Sequence, residues 1–318
     1  MSSESPHYER IFSAFSSTFH RFEFLTEHEC PTDLISALVQ KLPHIEAEKW
    51  PKLLAWGGAY VNGNAASSNQ KLSCPCRIEY YEPRYDIESP EQTFASFQKE
   101  HIIFEDEWLL AVYKPARLPC MPARDQAQVS LRRQLDQYCG APVHMPSRLD
   151  MSTSGLVLVS KHPATHAELQ RIFEQRRIVK IYRLAAEGSP DWNEQTVEAA
   201  IGKDVRHPVL RAVVGHGGKS AETKFRLLRK LYLHDLRGEQ FEAAMVEAAP
   251  LTGRTHQIRV HSSYAGFPIV GDKFYGGREA DYLHLLSFSL SFKHPKSGAQ
   301  LVLELPEKYV PDWAKVSS

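Results

Sequence analysis

Two stretches carry the side chains best placed to do chemistry. The first is Ser147-Arg148-Leu149-Asp150-Met151-Ser152-Thr153-Ser154-Gly155, a charged, hydroxyl-rich loop set directly before the apolar run Leu156-Val157-Leu158-Val159. Loops held by a rigid sheet edge are common sites of chemistry, and a carboxylate there can act as a base or a nucleophile. The same nine residues also make an Asx-type turn with a surface ion pair, because Asp before Ser/Thr-Gly is ordinary turn chemistry.

The second stretch is Leu251-Thr252-Gly253-Arg254-Thr255-His256-Gln257-Ile258-Arg259-Val260-His261, which with the residues up to Gly266 reads as a short helix. Thr255 is the expected N-cap and Gly266 the residue just past the C-terminus. Arg259 then lies about one turn from the helix N-terminus, where the backbone dipole disfavours a cation and calls for a nearby anion, a carboxylate or a phosphate. A surface basic helix is the plain alternative. His256 and His261 stand five apart, outside the i, i+4 spacing that puts two imidazoles on one face, so a metal pair is not expected. Gly218-Lys219-Ser220 lacks the leading glycine of a phosphate loop, since Val213 occupies that position, and it reads as a hairpin turn.

The elements that must position these groups are legible from periodicity. The run 156–159, closed by Gly155 and by Ser160-Lys161, predicts a strand covered on both faces. Residues 163 to about 177 predict a helix with Ala167, Leu169, Ile172 and Phe173 apolar. The alternation of Ile178-Val179-Lys180-Ile181-Tyr182-Arg183-Leu184-Ala185 predicts a strand with Lys180, Tyr182 and Leu184 on one face. On the sequence alone Tyr182 is a half-buried strand aromatic. Two apolar runs, 102–104 and 108–114, flank an acidic turn and predict a hairpin; a helix carrying Arg132 and Arg133 is expected over 130–138.

The N-terminal third has a different texture. Phe12, Phe15, Phe19 and Phe22 are spaced as on a helix, giving a packing extension over 1–30. From Asp33, two short helices precede a strand Ala59-Tyr60-Val61 and an Asn62-Gly63 hairpin turn, defining a small domain over 31–82. A polar stretch with Pro83, Ser89 and Pro90 marks a linker over 83–100, and the remaining domain spans 101–318.

Length and composition bound the rest. The chain has 318 residues, 42% of them hydrophobic, enough for a proper core. Lys plus Arg and Asp plus Glu both number 38, so a nucleic-acid surface must come from local clustering. Five cysteines, Cys30, Cys74, Cys76, Cys120 and Cys139, are scattered and odd in number, which does not suggest a disulfide framework and fits a reducing, cytoplasmic compartment. Cys74-Pro-Cys76 lacks a second pair or a spaced histidine, so no metal is expected. No signal-peptide pattern opens the chain, and no stretch approaches the ~18 apolar residues of a membrane span.

The loop Ser147–Gly155 resembles the signature of the RluA-type pseudouridine synthases, His-Arg-Leu-Asp, two variable residues, then Thr-Ser-Gly and an apolar strand; Ser147 replaces the histidine. Gly253-Arg254-Thr255-His256-Gln257-Ile258-Arg259-Val260-His261 resembles a second signature of that family without a mismatch, and Gly266-Phe267-Pro268-Ile269-Val270-Gly271-Asp272 continues it with Phe267 where histidine is common. Lys180-Ile181-Tyr182, Lys219-Ser220-Ala221-Glu222-Thr223, Tyr282-Leu283-His284-Leu285 and the opening Lys114-Pro115-Ala116 also match, although Arg117 takes a glycine position. Less specifically, residues 31–82 resemble the S4 RNA-binding domain. There Glu46 and Glu48 stand where that domain offers positive charge, so the module contributes little RNA affinity on this reading.

The resemblance implies an α+β fold, with a mixed, largely antiparallel sheet in the pseudouridine synthase domain and a small S4-like domain before it. It implies an isomerase that converts a specific uridine of rRNA or tRNA to pseudouridine without a cofactor or metal. Asp150 would be the essential carboxylate, attacking C1′ or removing a proton from C2′. Arg148 would occupy the space left by the flipped base or hold a phosphate, Tyr182 would stack on the base, Arg259 would pair with Asp150, and Arg254 and His256 would contact RNA. RNA is the expected partner, membrane is not, and a monomer is expected. A base-excising glycosylase and a non-catalytic RNA-binding protein remain as alternatives, the first distinguished by release of free base.

Overall fold

A computed structural model describes residues 17–56, 59–83, 95–121, 130–188, 190–204 and 207–316. Phe12, Phe15 and most of the 83–100 linker lie outside the described residues. The chain divides into two compact units, Met1–Tyr85 with Gly202–Ala212, and Asp86–Ile201 with Val213–Ser318.

In the first unit, Ser17–Phe24 (β1), Cys76–Pro83 (β4), Ala59–Val61 (β2) and Asn64–Ala65 (β3) form a four-stranded sheet in the order β1-β4-β2-β3. The helical reading of the phenylalanines is corrected here, because Phe19 and Phe22 lie on β1, paired with Tyr81 and Ile78. Phe24 is buried and Phe22 half-buried while Arg21 and Glu23 face out, a period of two that the wider phenylalanine spacing masked. The expected helices are present at Leu34–Lys41 and Trp50–Trp56. Asp33 caps the first by accepting a 2.9 Å bond from the Ser36 amide, a contact worth about 1 kcal/mol. The expected hairpin also forms, with Asn62 and Gly63 both at positive φ, as its type I′ turn requires. A disulfide joins Cys30 to Cys74, a single pair where the scattered cysteines suggested no disulfide framework. The two are 44 residues apart, a separation from which local sequence predicts no contact.

The second unit is built on a nine-stranded sheet. Its strands are Ile102–Glu105 (β5), Leu109–Lys114 (β6), Ser154–Ser160 (β7), Ile178–Glu187 (β8), Glu194–Glu198 (β9), Glu222–His234 (β12), Gln240–Pro250 (β13), Leu285–Lys293 (β14) and Gln300–Glu304 (β15). A separate ribbon, whose residues Gly202–Ala212 are counted with the first unit, pairs Ile201–Asp204 (β10) with His207–Val213 (β11). The main order is β5-β6-β7-β14-β8-β13-β12-β9, with β15 on β14. Every pairing is antiparallel except β7 with β14, where Leu286 and Ser287 lie beside Ser154 and Gly155. The sheet is therefore mixed and largely antiparallel, as expected.

β6 and β7 are buried on both faces, and their alternation divides them between two cores. Leu109, Ala111, Leu156 and Leu158 pack with Leu169 and Ile172 of the helix Pro163–Glu174. Leu110, Val112, Val157 and Val159 pack with Leu131 and Leu135 of the helix Leu131–Cys139. Each such Leu or Val contributes about 1.5–3 kcal/mol on burial, which anchors the sheet edge from which the Asp150 loop projects.

Candidate active site

Gly155 fixes where that loop leaves the sheet. Its φ is +121°, and a Cβ there would collide with the Ser287 backbone of β14, so only glycine lets the two parallel strands meet at this point. Upstream, the Thr153 amide donates to Asp150 O at 3.1 Å, and the Met151 carbonyl accepts from the Arg117 amide at 2.8 Å and from Lys114 Nζ at 3.2 Å. Arg117 takes the left-handed conformation, φ +65°, that glycine adopts without cost, so this turn is kept at some backbone strain. Lys114 is fully buried and also donates to the carbonyls of Pro115 and Leu118. Burial pulls its ammonium down to about 8 against the favourable charges of Cys120 and Asp150.

The second stretch forms the helix Gln257–Tyr264. The expected N-cap is corrected, because His256, not Thr255, is the cap residue; it sits at φ +58° and its side chain caps nothing. The helix start is instead held by Gln257, whose buried side-chain oxygen accepts from the Arg254 amide at 3.0 Å and Thr252 Oγ1 at 2.6 Å. Its amide nitrogen donates to the Glu222 carbonyl and Thr223 Oγ1, tying the loop to β12. With both donors and acceptor of its side chain engaged, Gln257 does locally what a cap residue would. Gly266 has φ +87° and, as expected, ends the helix, with the amides of Gly266 and Phe267 bonding back to Ser263 and Ser262.

Arg259 lies at the third helical position, is 3% exposed and has two anions in reach. Nη1 is 3.4 Å from Asp150 Oδ2, so the expected pairing is present. The tighter partner is Asp272, gripped through Nε and Nη2 at 2.7 Å each. Burial opposes the charge on Arg259, but the Asp272 charge and hydrogen bonds, helped by Asp150, outweigh it and hold the guanidinium firmly protonated. Tyr275 and Phe274 lie 5.0 and 5.3 Å from it, aromatic faces toward a cation. His256 Nε2 stands 3.8 Å from Asp150 Oδ2, and its Nδ1 is 2.7 Å from the Tyr275 hydroxyl.

In the sequence Asp272 stands out only as the last residue of the Gly266–Asp272 motif. The signal that could have found it was the same one that called for an anion near Arg259. A cation inside the first turn of a buried helix needs more than one half-exposed carboxylate.

All six side chains singled out in the sequence, Arg148, Asp150, Tyr182, Arg254, His256 and Arg259, line one open cleft of about 870 Å³. Asp150 is 27% exposed at its side chain, open to the cleft and backed by Arg259. Tyr182 is on the β8 face expected of it, and burial pushes its phenol up to about 12, so the ring is neutral near pH 7. Arg254 Nε donates to the Ser220 carbonyl at 3.0 Å, committing one nitrogen to the loop 214–221. The hairpin expected there is corrected, because this loop joins β11 to β12 of a different sheet and Lys219 bridges Ile201 instead. Arg148 is exposed at the rim.

Lys180, two residues from Tyr182 on the same face, also lines the cleft. Its Nζ is 3.4 Å from the Thr252 carbonyl, and burial, then Arg176, pull it down to about 8. His261, by contrast, is structural: its two nitrogens meet Thr223 Oγ1 and the Ala199 carbonyl at 3.0 Å, and burial lowers its basicity. The arrangement offers a carboxylate with cations on one side, an aromatic ring close by, and arginines around the mouth, which suits an anionic polymer carrying planar bases.

Comparison with known proteins gives the same direction. A family model described as RNA pseudouridylate synthase matches residues 108–264. The dual-specificity RNA pseudouridine synthase RluA of Vibrio vulnificus is 32% identical over 217 residues, covering 66% of this chain and 84% of that protein. The ribosomal large subunit pseudouridine synthase D of Neisseria meningitidis is 28% identical over 326 residues, covering 95% of this chain and 82% of that protein. Among solved structures, human RNA pseudouridylate synthase domain containing 1 superposes with TM-score 0.54 at 28% identity, covering 66% of this chain and 84% of that one.

Proposed function

This chain belongs to the RluA-type RNA pseudouridylate synthase family and is an isomerase acting on RNA, and we propose that it converts one specific uridine of rRNA or tRNA to pseudouridine with Asp150 as the essential carboxylate. Isomerisation breaks the bond from C1′ to N1, turns the base while it stays bound, and joins C1′ to C5. The carboxylate acts beside C1′, as nucleophile or as base toward C2′. The base has to leave the helical stack first.

In this reading Tyr182 stacks on the extruded base, Arg148 fills the vacated space or holds a phosphate, and Arg254 and His256 contact the RNA near the target. Arg259 keeps Asp150 company as its fixed counter-charge. The catalytic domain is read as 101–318 and the S4-like module as 31–82, with β1 from the preceding extension completing the sheet of that module and residues 202–212 counted with the first unit. The enzyme works as a monomer in the cytoplasm.

The observation that carries the reading is the meeting of Asp150 with Arg259 and Tyr182 in one cleft, from three segments distant in the chain. Mapping pseudouridines in rRNA and tRNA from cells lacking the gene, then restoring the wild-type or the Asp150→Asn chain, tests it. One site should vanish and return only with the wild type. A pseudouridine map that is unchanged by deletion, or free uracil as the product in vitro, would overturn the proposal.

A further inference from the structure

The first unit holds a cluster of sulfurs that the RNA chemistry does not use. Cys30, Cys74 and Cys76 place their three Sγ atoms within 4.8 Å of one another, the one such trio of metal-ligating side chains among the described residues. Cys30 and Cys74 are joined as a disulfide, and Cys76 Sγ lies 3.9 Å from Cys74 Sγ. A disulfide needs two sulfurs. The third is 4% exposed, packs in the hydrophobic core of this unit and lies against the pair without being part of the bond.

Backbone contacts hold the three residues together independently of the sulfur–sulfur bond. The Leu34 amide donates to the Gln70 carbonyl at 2.9 Å, and the Leu72 amide to the Thr32 carbonyl at 3.3 Å. Asp33 and Lys71 form a β-bridge between the same two segments. Cys76 opens β4, which is paired along its length with β1. Reduction therefore leaves three thiols gathered by the fold, with little new chain entropy to lose on binding a ligand.

We infer that Cys30, Cys74 and Cys76, once the Cys30–Cys74 bond is reduced, form a three-thiolate site for a zinc ion whose fourth position is open to water. Tetrahedral zinc with Zn–S bonds of about 2.3 Å sets its sulfurs about 3.8 Å apart. The Cys74–Cys76 spacing of 3.9 Å already meets that requirement. Cys30 and Cys74 are only half-buried, which leaves the outer side of the site accessible to the fourth ligand. Thiolates also select zinc over calcium and magnesium, which prefer oxygen.

The chemistry balances with a dithiol as the reductant. The dithiol gives two electrons and two protons to the Cys30–Cys74 bond and leaves as its own disulfide. Zinc then displaces one proton from each of three thiols, and water completes the coordination. The ion would join the segment preceding the Asp33-capped helix to the first residue of β4.

The test uses the full chain, reduced with a dithiol, freed of it without oxygen, and titrated with zinc against a chromophoric chelator. One zinc should bind per chain with a rise in Tm, and the oxidised chain should bind none. Cys76→Ser should weaken binding by at least about a hundredfold, whereas Cys139→Ser, which alters a thiol outside the trio, should not. Cobalt in place of zinc on the wild-type chain gives a readout that needs no variant to fold: three sulfur ligands produce a strong thiolate-to-cobalt charge-transfer band. Equal zinc affinity of the oxidised and reduced chains, or absence of that band, would overturn the inference.

Discussion

Arg259 holds Asp272 through two 2.7 Å hydrogen bonds and meets Asp150 with its remaining nitrogen at 3.4 Å. The Asp272 side chain is fully buried, so the bidentate pair is dry and fixed, and the half-exposed Asp150 is the carboxylate of the trio that lines the cleft. One guanidinium thus anchors to one carboxylate and presents its charge to another.

Asp150→Asn is expected to abolish pseudouridine formation while leaving Tm within a few degrees of wild type, because the loop is held through backbone groups and the side chain is partly in water. Thermal unfolding and a product assay on the same preparation check both halves. Residual turnover within about tenfold of wild type, a barrier change near 1.4 kcal/mol, would take Asp150 out of the chemistry.

Asp272→Asn should strand a buried cation and cost about 3–5 kcal/mol of stability along with most of the rate. Arg259→Met combined with Asp272→Leu should recover much of the stability and none of the rate. Denaturant unfolding of the two variants beside the wild type separates the cases. Recovery of activity in the double variant would show that the pair is scaffolding only.

Lys180 should lend the cleft a positive charge that fades as pH rises through about 8, because its protonated form is the one lost there. KM for the RNA is therefore expected to climb across that range while Lys180→Met shows a flat, weaker KM. Parallel pH profiles of the two proteins would rule out a role for this charge.

Gly155→Ala should destabilise the protein and lower activity together, since the new methyl group meets the Ser287 backbone and the φ of +121° is strained for alanine. A loss exceeding about 2 kcal/mol is expected if β7 and β14 separate to make room. A variant as stable and active as wild type would mean that the strands close without strain.

The sequence by itself determined most of the periodic elements and pointed to the candidate site residues. The two-faced burial of Leu156-Val157-Leu158-Val159, the Asn62-Gly63 hairpin and the Gly266 helix end follow from local sterics and alternation, which neighbouring residues suffice to set. It also named Asp150, Tyr182 and Arg259, because their motifs are local runs of residues. Tertiary structure decided what depends on distant partners. Phe22 became a strand residue because β4 offers a pairing edge. His256 took over the cap because Gln257 reached across to Glu222 and Thr223. Asp272 outcompeted Asp150 for the fork of Arg259 because a fully dehydrated carboxylate gains more from a bidentate cation than one still in contact with water. Cys30 met Cys74 across 44 residues through backbone pairing between their segments. In each case, which distant groups meet is set by how the chain closes on itself, and closure depends on the whole core rather than on any window of sequence.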